Sequence, residues 1–310
     1  MANNHLPTNK PHKRKGIMQT HLKCIQLNLQ HSRLATDNLR QIIEEENTDI
    51  IFIQEPRTIR SKIAGLYKRL KIFTSGKGKH QVAIAVKNNK LDTMLIKQLL
   101  DEDVVVLEVI TGNKKIIITS MYFDINRQID IDLLKLDAII QHANDAGLLI
   151  AMDSNSRSTL WHDLLTNRRG RTLEEYLMSK QMHIMNEESH LTTFRSSRGT
   201  SRIDLTIINN QLLSAVCEWE ISEQDSCSDH SILRCVVGHS NAIRAEREIG
   251  EVKYKVTKEG KEKFQSKLIR LAEHKFSDTL SVARTETLDK ILCTRATTEP
   301  VFTLETEFCV

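Results

Sequence analysis

Leu148-Leu149-Ile150-Ala151-Met152-Asp153-Ser154-Asn155 is an apolar run that stops on an acid, a small hydroxyl and an amide. Without polar alternation and preceded by Gly147, the run reads as a short strand covered on both faces. A carboxylate at the end of such a strand is costly unless it is solvated or bound to a cation. An Asp-x-Asn pair taken alone reads as a turn, since both side chains bond their own backbone. Four further polar islands overturn that reading. They are Asn28 with Gln30, Glu55, Ser201-Arg202-Ile203-Asp204 and Ser228-Asp229-His230-Ser231, and each follows or interrupts a strand-like run.

Together the islands hold three Asp, one Glu, two Asn and one His. Carboxylates and amides with a lone His, delivered from strand ends, suit a hydrolase that holds a hard metal ion. Mg²⁺ takes oxygen donors, keeps several waters and is commonly held by one or two protein carboxylates plus substrate phosphate. Glu55 closes the apolar run Ile50-Ile51-Phe52-Ile53-Gln54 and is assigned as principal metal ligand. Asp153 is placed to orient or deprotonate an attacking water, with Asn155 fixing phosphate without added repulsion. Asp204 lies inside the run Ile203–Ile208, where an unpaired charge is expensive, and His230 is its best partner. A His so paired is held in one tautomer, favours the cation and can stabilise developing negative charge.

The chain has 310 residues, 40% hydrophobic and 27% charged, enough for one substantial core with tails. No apolar run approaches the roughly 20 residues that span a bilayer, and no secretory leader is read at the N-terminus. The six Cys form no C-x-x-C pair, which speaks against zinc ribbons and redox motifs and for a reduced intracellular setting. The net charge is +4, but Lys10, Lys13, Arg14, Lys15 and Lys23 give residues 1–23 a charge of +5, leaving −1 for the remainder. Affinity for a polyanion must therefore come from a local face. Residues 1–21 are expected to be a basic disordered tail, either solvated or a nuclear-import or phosphate-binding arm.

Between residues 22 and 240 strand and helix signals alternate. Strands are predicted over 22–29, 49–54, 81–87, 103–110, 115–123, 148–152, 203–209, 215–221 and 231–237, with shorter ones near Met182 and Thr192. Helices are predicted around Leu39, Ile42 and Ile43, around Leu133, Leu136, Ile140 and Ala143, and over 171–180. Thr111-Gly112-Asn113 reads as a hairpin connection. Strands outnumber helices and several pair locally, so the expected fold is α/β: a four-layer sandwich of two mixed β-sheets flanked by helices. No internal repeat is visible. Residues 241–310, rich in Lys, Glu and Thr, are expected to form a linker-like appendage.

The ordered islands resemble the endonuclease–exonuclease–phosphatase superfamily, which includes DNase I and the abasic-site endonucleases, over roughly residues 22–240. The resemblance implies that Asn28 is the first-strand Asn that assists the metal, Glu55 the metal-binding Glu and Tyr122 the Tyr that contacts phosphate. It further implies Asp153 and Asn155 as the water-activating Asp-x-Asn, Asp204 as the partner of His, and Asp229-His230 as the terminal pair, with Asp229 also near the metal. Leu29-Gln30-His31-Ser32, the spacing from Asn155 to Leu160-Trp161, and Thr193-Phe194 with Ser201 to Thr206 look most like the endonuclease domains of insect-type non-LTR retrotransposons. Gln30 stands where many repair enzymes carry an acid, and Met152 where Gly is usual.

On this resemblance the expected activity is Mg²⁺-dependent (or Mn²⁺-dependent) nicking of double-stranded DNA, leaving a 3′-hydroxyl that primes reverse transcription. Element RNA or a reverse transcriptase acting in trans are further expected partners, the nucleus is the expected location, and no membrane partner is expected. No polymerase signature follows before Val310, which reads as a truncated frame or a relic. The rival readings are an abasic-site or repair nuclease and a catalytically silent DNA-binding relic. Gln30, Arg195 and Arg198 in the stretch 195–200, and Arg168 and Arg169 in a second basic loop over 167–171, are the expected substrate contacts.

Overall fold

The computed structural model describes residues 21–75, 79–111 and 114–238. The predicted C-terminal appendage, the basic tail except His21, and Gly112-Asn113 lie outside the described residues.

The first half contains β1 (His21–Asn28), α1 (Arg33–Glu45), β2 (Ile50–Gln54), β3 (Thr58–Ile59), β4 (Lys62–Ile63), β5 (Lys71–Phe73) and β6 (Val82–Val86). Next come β7 (Asp92–Leu95), β8 (Val104–Thr111), β9 (Lys114–Tyr122), α2 (Ile129–Ala143), β10 (Gly147–Asp153) and α3 (Arg168–Ser179). The described chain closes with β11 (His183–Ile184), β12 (Phe194–Ser196), β13 (Gly199–Ser201), β14 (Asp204–Ile208), β15 (Val216–Ile221) and β16 (Leu233–Gly238).

Two six-stranded sheets carry the fold, ordered β15-β16-β1-β2-β6-β5 and β11-β14-β10-β9-β8-β7. Each has one parallel pair at its centre, β1 with β2 and β10 with β9, and antiparallel pairs everywhere else. Each parallel pair needs a crossover, and α1 and α2 supply the two helices. The sequence carries no visible repeat, yet the topology of pairing repeats.

Three apolar clusters define the layers. Alternate residues of both sheets, among them Phe52, Ile84, Leu107, Ile118 and Leu149, meet between the sheets. The other faces bury against α1 through Ile25, Ile51 and Leu39, and against α2 and α3 through Ile150, Leu136 and Leu173. Covering both faces explains why β2, β6, β10 and β14 are buried along their whole length. The expected four-layer α/β sandwich is the observed architecture.

Caps account for the helix starts. The Ser32 hydroxyl accepts the Ala35 amide at the head of α1, after Gln30 and His31 turn the chain with φ of 48° and 56°. Asn167 caps α3 by accepting the Gly170 amide at 2.7 Å. Arg168, Arg169 and Gly170 are thus the first turn of α3, not part of a loop as the sequence suggested. A Cβ at Gly170 would lie 1.8 Å from the Arg157 carbonyl oxygen, so close packing demands a glycine here despite its poor helix propensity. Among the described residues no helix is long and apolar enough to cross a membrane.

Candidate active site

In a parallel pair both strands finish at the same edge. Asn28 ends β1 beside Gln54, the residue before Glu55, and Asp153 ends β10 beside Tyr122 at the end of β9. The antiparallel neighbours begin at that edge: β14 starts with Asp204, opposite Asp153, and His230 precedes β16. Topology alone therefore delivers the separated islands to one end of the sandwich.

At that end a polar chain crosses from one sheet to the other. Asn28 Nδ2 donates to Asp153 Oδ2 at 2.8 Å. His230 Nε2 lies 3.9 Å from the same oxygen, and His230 Nδ1 bonds Asp204 Oδ2 at 2.9 Å. Asp153, Asp204 and His230 are all at most 4% exposed. Thr193 Oγ1 accepts the amides of Ile203 and Asp204, and Phe194 packs edge-on against the His230 ring at 4.8 Å. These two residues fix the Asp204–His230 pair from outside it. The Thr-Phe motif marked the resemblance in the sequence, but no spacing argument assigned them this place.

The electrostatics follow from burial. Loss of solvent, followed by the Asp204 charge, pushes the Asp153 carboxyl up to about 7, with His230 and the Asn28 bond acting against the rise. Burial disfavours a His230 cation, but the charges of Asp204, Asp153 and Glu55 outweigh it and raise the imidazole to about 9. Tyr122 is raised by burial and by the Glu55 and Asp153 charges, and its hydroxyl bonds Glu55, so the phenol stays protonated. Asn155 sits at φ 45°, its amide on Asp153 Oδ1 at 3.1 Å and its Nδ2 on the Phe123 carbonyl at 3.0 Å.

Among the described residues one cluster has metal-ligand spacing, and Glu55 and Asp229 stand at the same end of the sandwich. Ligand atoms of Asp153, Asp204 and His230 lie within 4.8 Å of one another, and the Nδ1 side of the imidazole is taken up by Asp204 at 2.9 Å. Glu55 is partly exposed and Asp229 exposed, so they can meet a hydrated ion without losing all its waters. Asn28 Oδ1 accepts the Gln30 amide at 2.8 Å, leaving one lone pair for a cation. Glu55 also holds φ 44°, a left-handed backbone uncommon for a non-glycine residue and a frequent companion of functional sites.

The expected substrate contacts divide. Arg195 and Arg198 are exposed on the β12–β13 hairpin, and the Arg195 amide bonds the Asp229 carbonyl at 2.7 Å, which ties that hairpin to the site. Gln30 instead clasps the Asp229 loop: it accepts the Asp229 amide at 2.9 Å and donates to Asp229 Oδ2 at 3.3 Å. Arg169 turns inward, bonding the Arg127 carbonyl at 2.6 Å with Asp132 3.8 Å away. A surface role for Arg169 is corrected accordingly, because the helical register of α3 points it at α2. Arg168 remains exposed. Sequence reading passed over the β3–β4 hairpin, which follows Glu55 with Arg57, Arg60 and Lys62. Its turn uses Arg60 and Ser61 at positive φ, without the Asn-Gly pair that betrays such turns.

This sandwich, with its polar chain at one end, is DNase I-like in fold and similar to domains of the endonuclease/exonuclease/phosphatase class. Within that class it is similar to the endonuclease domains of non-LTR retrotransposons. A family described as "Endonuclease-reverse transcriptase" matches residues 116–234. The chain is 26% identical over 231 residues to the putative 115 kDa protein in type-1 retrotransposable element R1DM of Drosophila melanogaster, covering 72% of this chain and 22% of that protein. It is 24% identical over 187 residues to the Pol polyprotein from type-1 retrotransposable element R1 of Bradysia coprophila, covering 57% of this chain and 19% of that one. The chain thus spans about a fifth of these relatives. Among solved structures it is similar to the endonuclease domain of TRAS1, a telomere-specific non-LTR retrotransposon, with TM-score 0.64, 26% identity, and 70% and 98% of the two chains covered. The AP endonuclease from Leishmania major shares the fold at TM-score 0.58 and 12% identity, covering 71% of this chain and 88% of that one.

Proposed function

We propose that this domain hydrolyses DNA phosphodiesters with a divalent cation and nicks one strand of a duplex target. The observation that carries the reading is the buried polar chain Asn28–Asp153–His230–Asp204, hydrogen-bonded at both ends and joined in the middle by a 3.9 Å His230–Asp153 charge contact, with the Glu55 charge also acting on the imidazole. A paired cation in a dry setting is a ready partner for charge that develops on a phosphate.

The chemistry divides among these residues. Asp153 takes a proton from the attacking water, a role that its raised carboxyl suits near neutral pH. Asn155 and the protonated Tyr122 hydroxyl position the phosphate. His230, held by Asp204, stabilises the added charge. Water oxygen bonds to phosphorus, the bond to the 3′ oxygen breaks, and that oxygen leaves as a hydroxyl with a proton from solvent. Mg²⁺ or Mn²⁺ held by Glu55, with Asn28 and Asp229 assisting, would supply positive charge at the phosphate and the leaving oxygen. A 3′-hydroxyl at the nick suits priming of reverse transcription, the use implied by the similarity to retrotransposon endonucleases. The reading makes duplex DNA the partner and the nucleus the place of action. The intact polar chain favours an active enzyme over a silent relic.

Supercoiled plasmid tests this directly. Conversion to open circles with Mg²⁺ or Mn²⁺, and its loss in excess EDTA, is the expected result. Full-rate nicking in EDTA would sink the metal assignment, and no nicking with either ion would leave a silent DNA-binding domain. Preferential cutting at a single abasic site would favour the repair reading.

A further inference from the structure

Between Asn155 and α3 the chain forms a loop that holds leucines in solvent. Leu160 is 43% exposed, Leu164 82% and Leu165 45%, while Trp161 between them is fully buried. The loop is firmly braced. Arg157 grips Asp163 Oδ1 through Nε at 2.9 Å and Nη2 at 2.8 Å, and Asp163 Oδ2 accepts the Arg202 amide at 2.7 Å. The Arg202 guanidinium bonds the carbonyls of His162, Ser189 and Leu191. The Asn167 amide closes the loop on the Arg157 carbonyl at 3.0 Å. Isolated exposed leucines need no explanation, but here a network of charged hydrogen bonds presents an apolar tip that a relaxed chain would fold inward.

The place of the loop says what it meets. It starts from Asn155, and its brace Arg202 stands two residues before Asp204. Arg157 Nη2 also reaches the Thr200 carbonyl of β13 at 3.4 Å, joining the loop to the hairpin that carries Arg195 and Arg198. Arg168 is exposed just beyond the leucines, so cations flank the apolar tip. Apolar side chains amid arginines on the rim of a phosphodiester site match a wedge: the arginines hold backbone phosphates while an aliphatic side chain enters between base pairs. Its rigidity removes the entropy cost of ordering the wedge on binding.

We infer that Leu164 and Leu165 form a wedge that unstacks a base step beside the scissile phosphate of duplex DNA. This rests on the nuclease reading above, and makes the deformability of the step a determinant of where the domain cuts. The unstacking is also what a sequence-tolerant site would use to choose flexible steps without contacting base edges.

The test compares the wild type with Leu164→Ser/Leu165→Ser on a labelled linear duplex and on the same duplex carrying a two-base mismatch. Leu164→Met/Leu165→Met serves as the variant that keeps the apolar tip, and equal thermal melting guards against misfolding. The expected result is a loss of about tenfold on the matched duplex, much less at the mismatch where the stack is already open, and recovery in the Met variant. A second arm uses 2-aminopurine-substituted duplex in EDTA, where saturating wild type raises the fluorescence and the Ser variant does not. That arm decides the wedge even if the wild type nicks nothing, an outcome that would sink the nuclease reading alone. Equal losses on both duplexes, or none with unchanged fluorescence, overturn the inference. Loss of binding to phosphatidylserine vesicles with nicking and fluorescence unchanged would assign the tip to a lipid surface instead and overturn it as well.

Discussion

The two sheets place residues at equivalent positions and obtain different chemistry from them. In the first sheet the parallel strands β1 and β2 end at Asn28 and lead into Glu55, and β16 is preceded by Asp229-His230. In the second, β10 and β9 end at Asp153 and Tyr122, and β14 begins with Asp204. Solvent separates the two sets. The first keeps carboxylates at Glu55 and Asp229 in reach of water, whereas the second buries Asp153 and Asp204 almost completely. An acid in water remains a ready ligand for a hydrated ion, while an acid out of water either finds a cation or rises toward a proton-accepting pKa. His230 stands just before β16 of the first sheet but bonds Asp204 of the second, so it joins the two halves.

The hardest blow to this division is cutting that joint. His230→Ala and Asp204→Ala are each expected to lower the nicking rate roughly 10²–10³-fold, and the double variant little further, because the pair acts as a unit. Fully additive losses in single-turnover rates would mean the halves act independently. Next, Glu55→Gln is expected to raise the Mg²⁺ concentration needed for half-maximal nicking by about 10-fold or more. An unchanged metal titration would move the ion to the buried acids and erase the contrast. Arg195→Ala/Arg198→Ala should lower the slope of log affinity against log salt by about 2 and scatter the nick positions on a long duplex. A lower rate with the same pattern would limit these arginines to holding phosphate. The smallest effect concerns stability. The imidazole of His230 is raised in the folded protein, so its contribution is complete below its ordinary value of 6.5 and is lost as pH climbs through about 9. The wild-type melting temperature should fall over that interval by about 3–6 °C, and His230→Gln should flatten the fall. Asp153, raised to about 7, gives its own decline at lower pH and so does not mimic it.

Which parts were legible follows the same contrast. Buried strands announce themselves as apolar runs, and an acid that closes or interrupts such a run is costly unless paired or solvated, so Glu55, Asp153 and Asp204 stood out. The pairing of Asp204 with His230 followed from the cost of an unpaired charge. Short exposed pieces carried no such penalty, and β3, β4 and β7 passed unread. Gly170 hid the start of α3, since its packing against the Arg157 carbonyl has no trace in the local sequence. The same error left Arg169 facing solvent. The Leu164-Leu165 pair passed unread, and only the folded loop, braced by Arg157 and Arg202, holds it toward water.

The pairing of β1 with β16 has a consequence for how this domain can be carried by a longer polypeptide. His21 lies opposite Gly238, so the chain enters and leaves the sandwich side by side. Both points sit at the beginning of β1, whereas Asn28 and the polar chain sit at its end, about 23 Å away at the usual rise per residue. Segments before and after the domain therefore join it at one place, at the end of β1 away from the polar chain. The domain can be inserted as a cassette between other domains without threading a linker across the end that carries Asn28, Asp153, Asp204 and His230.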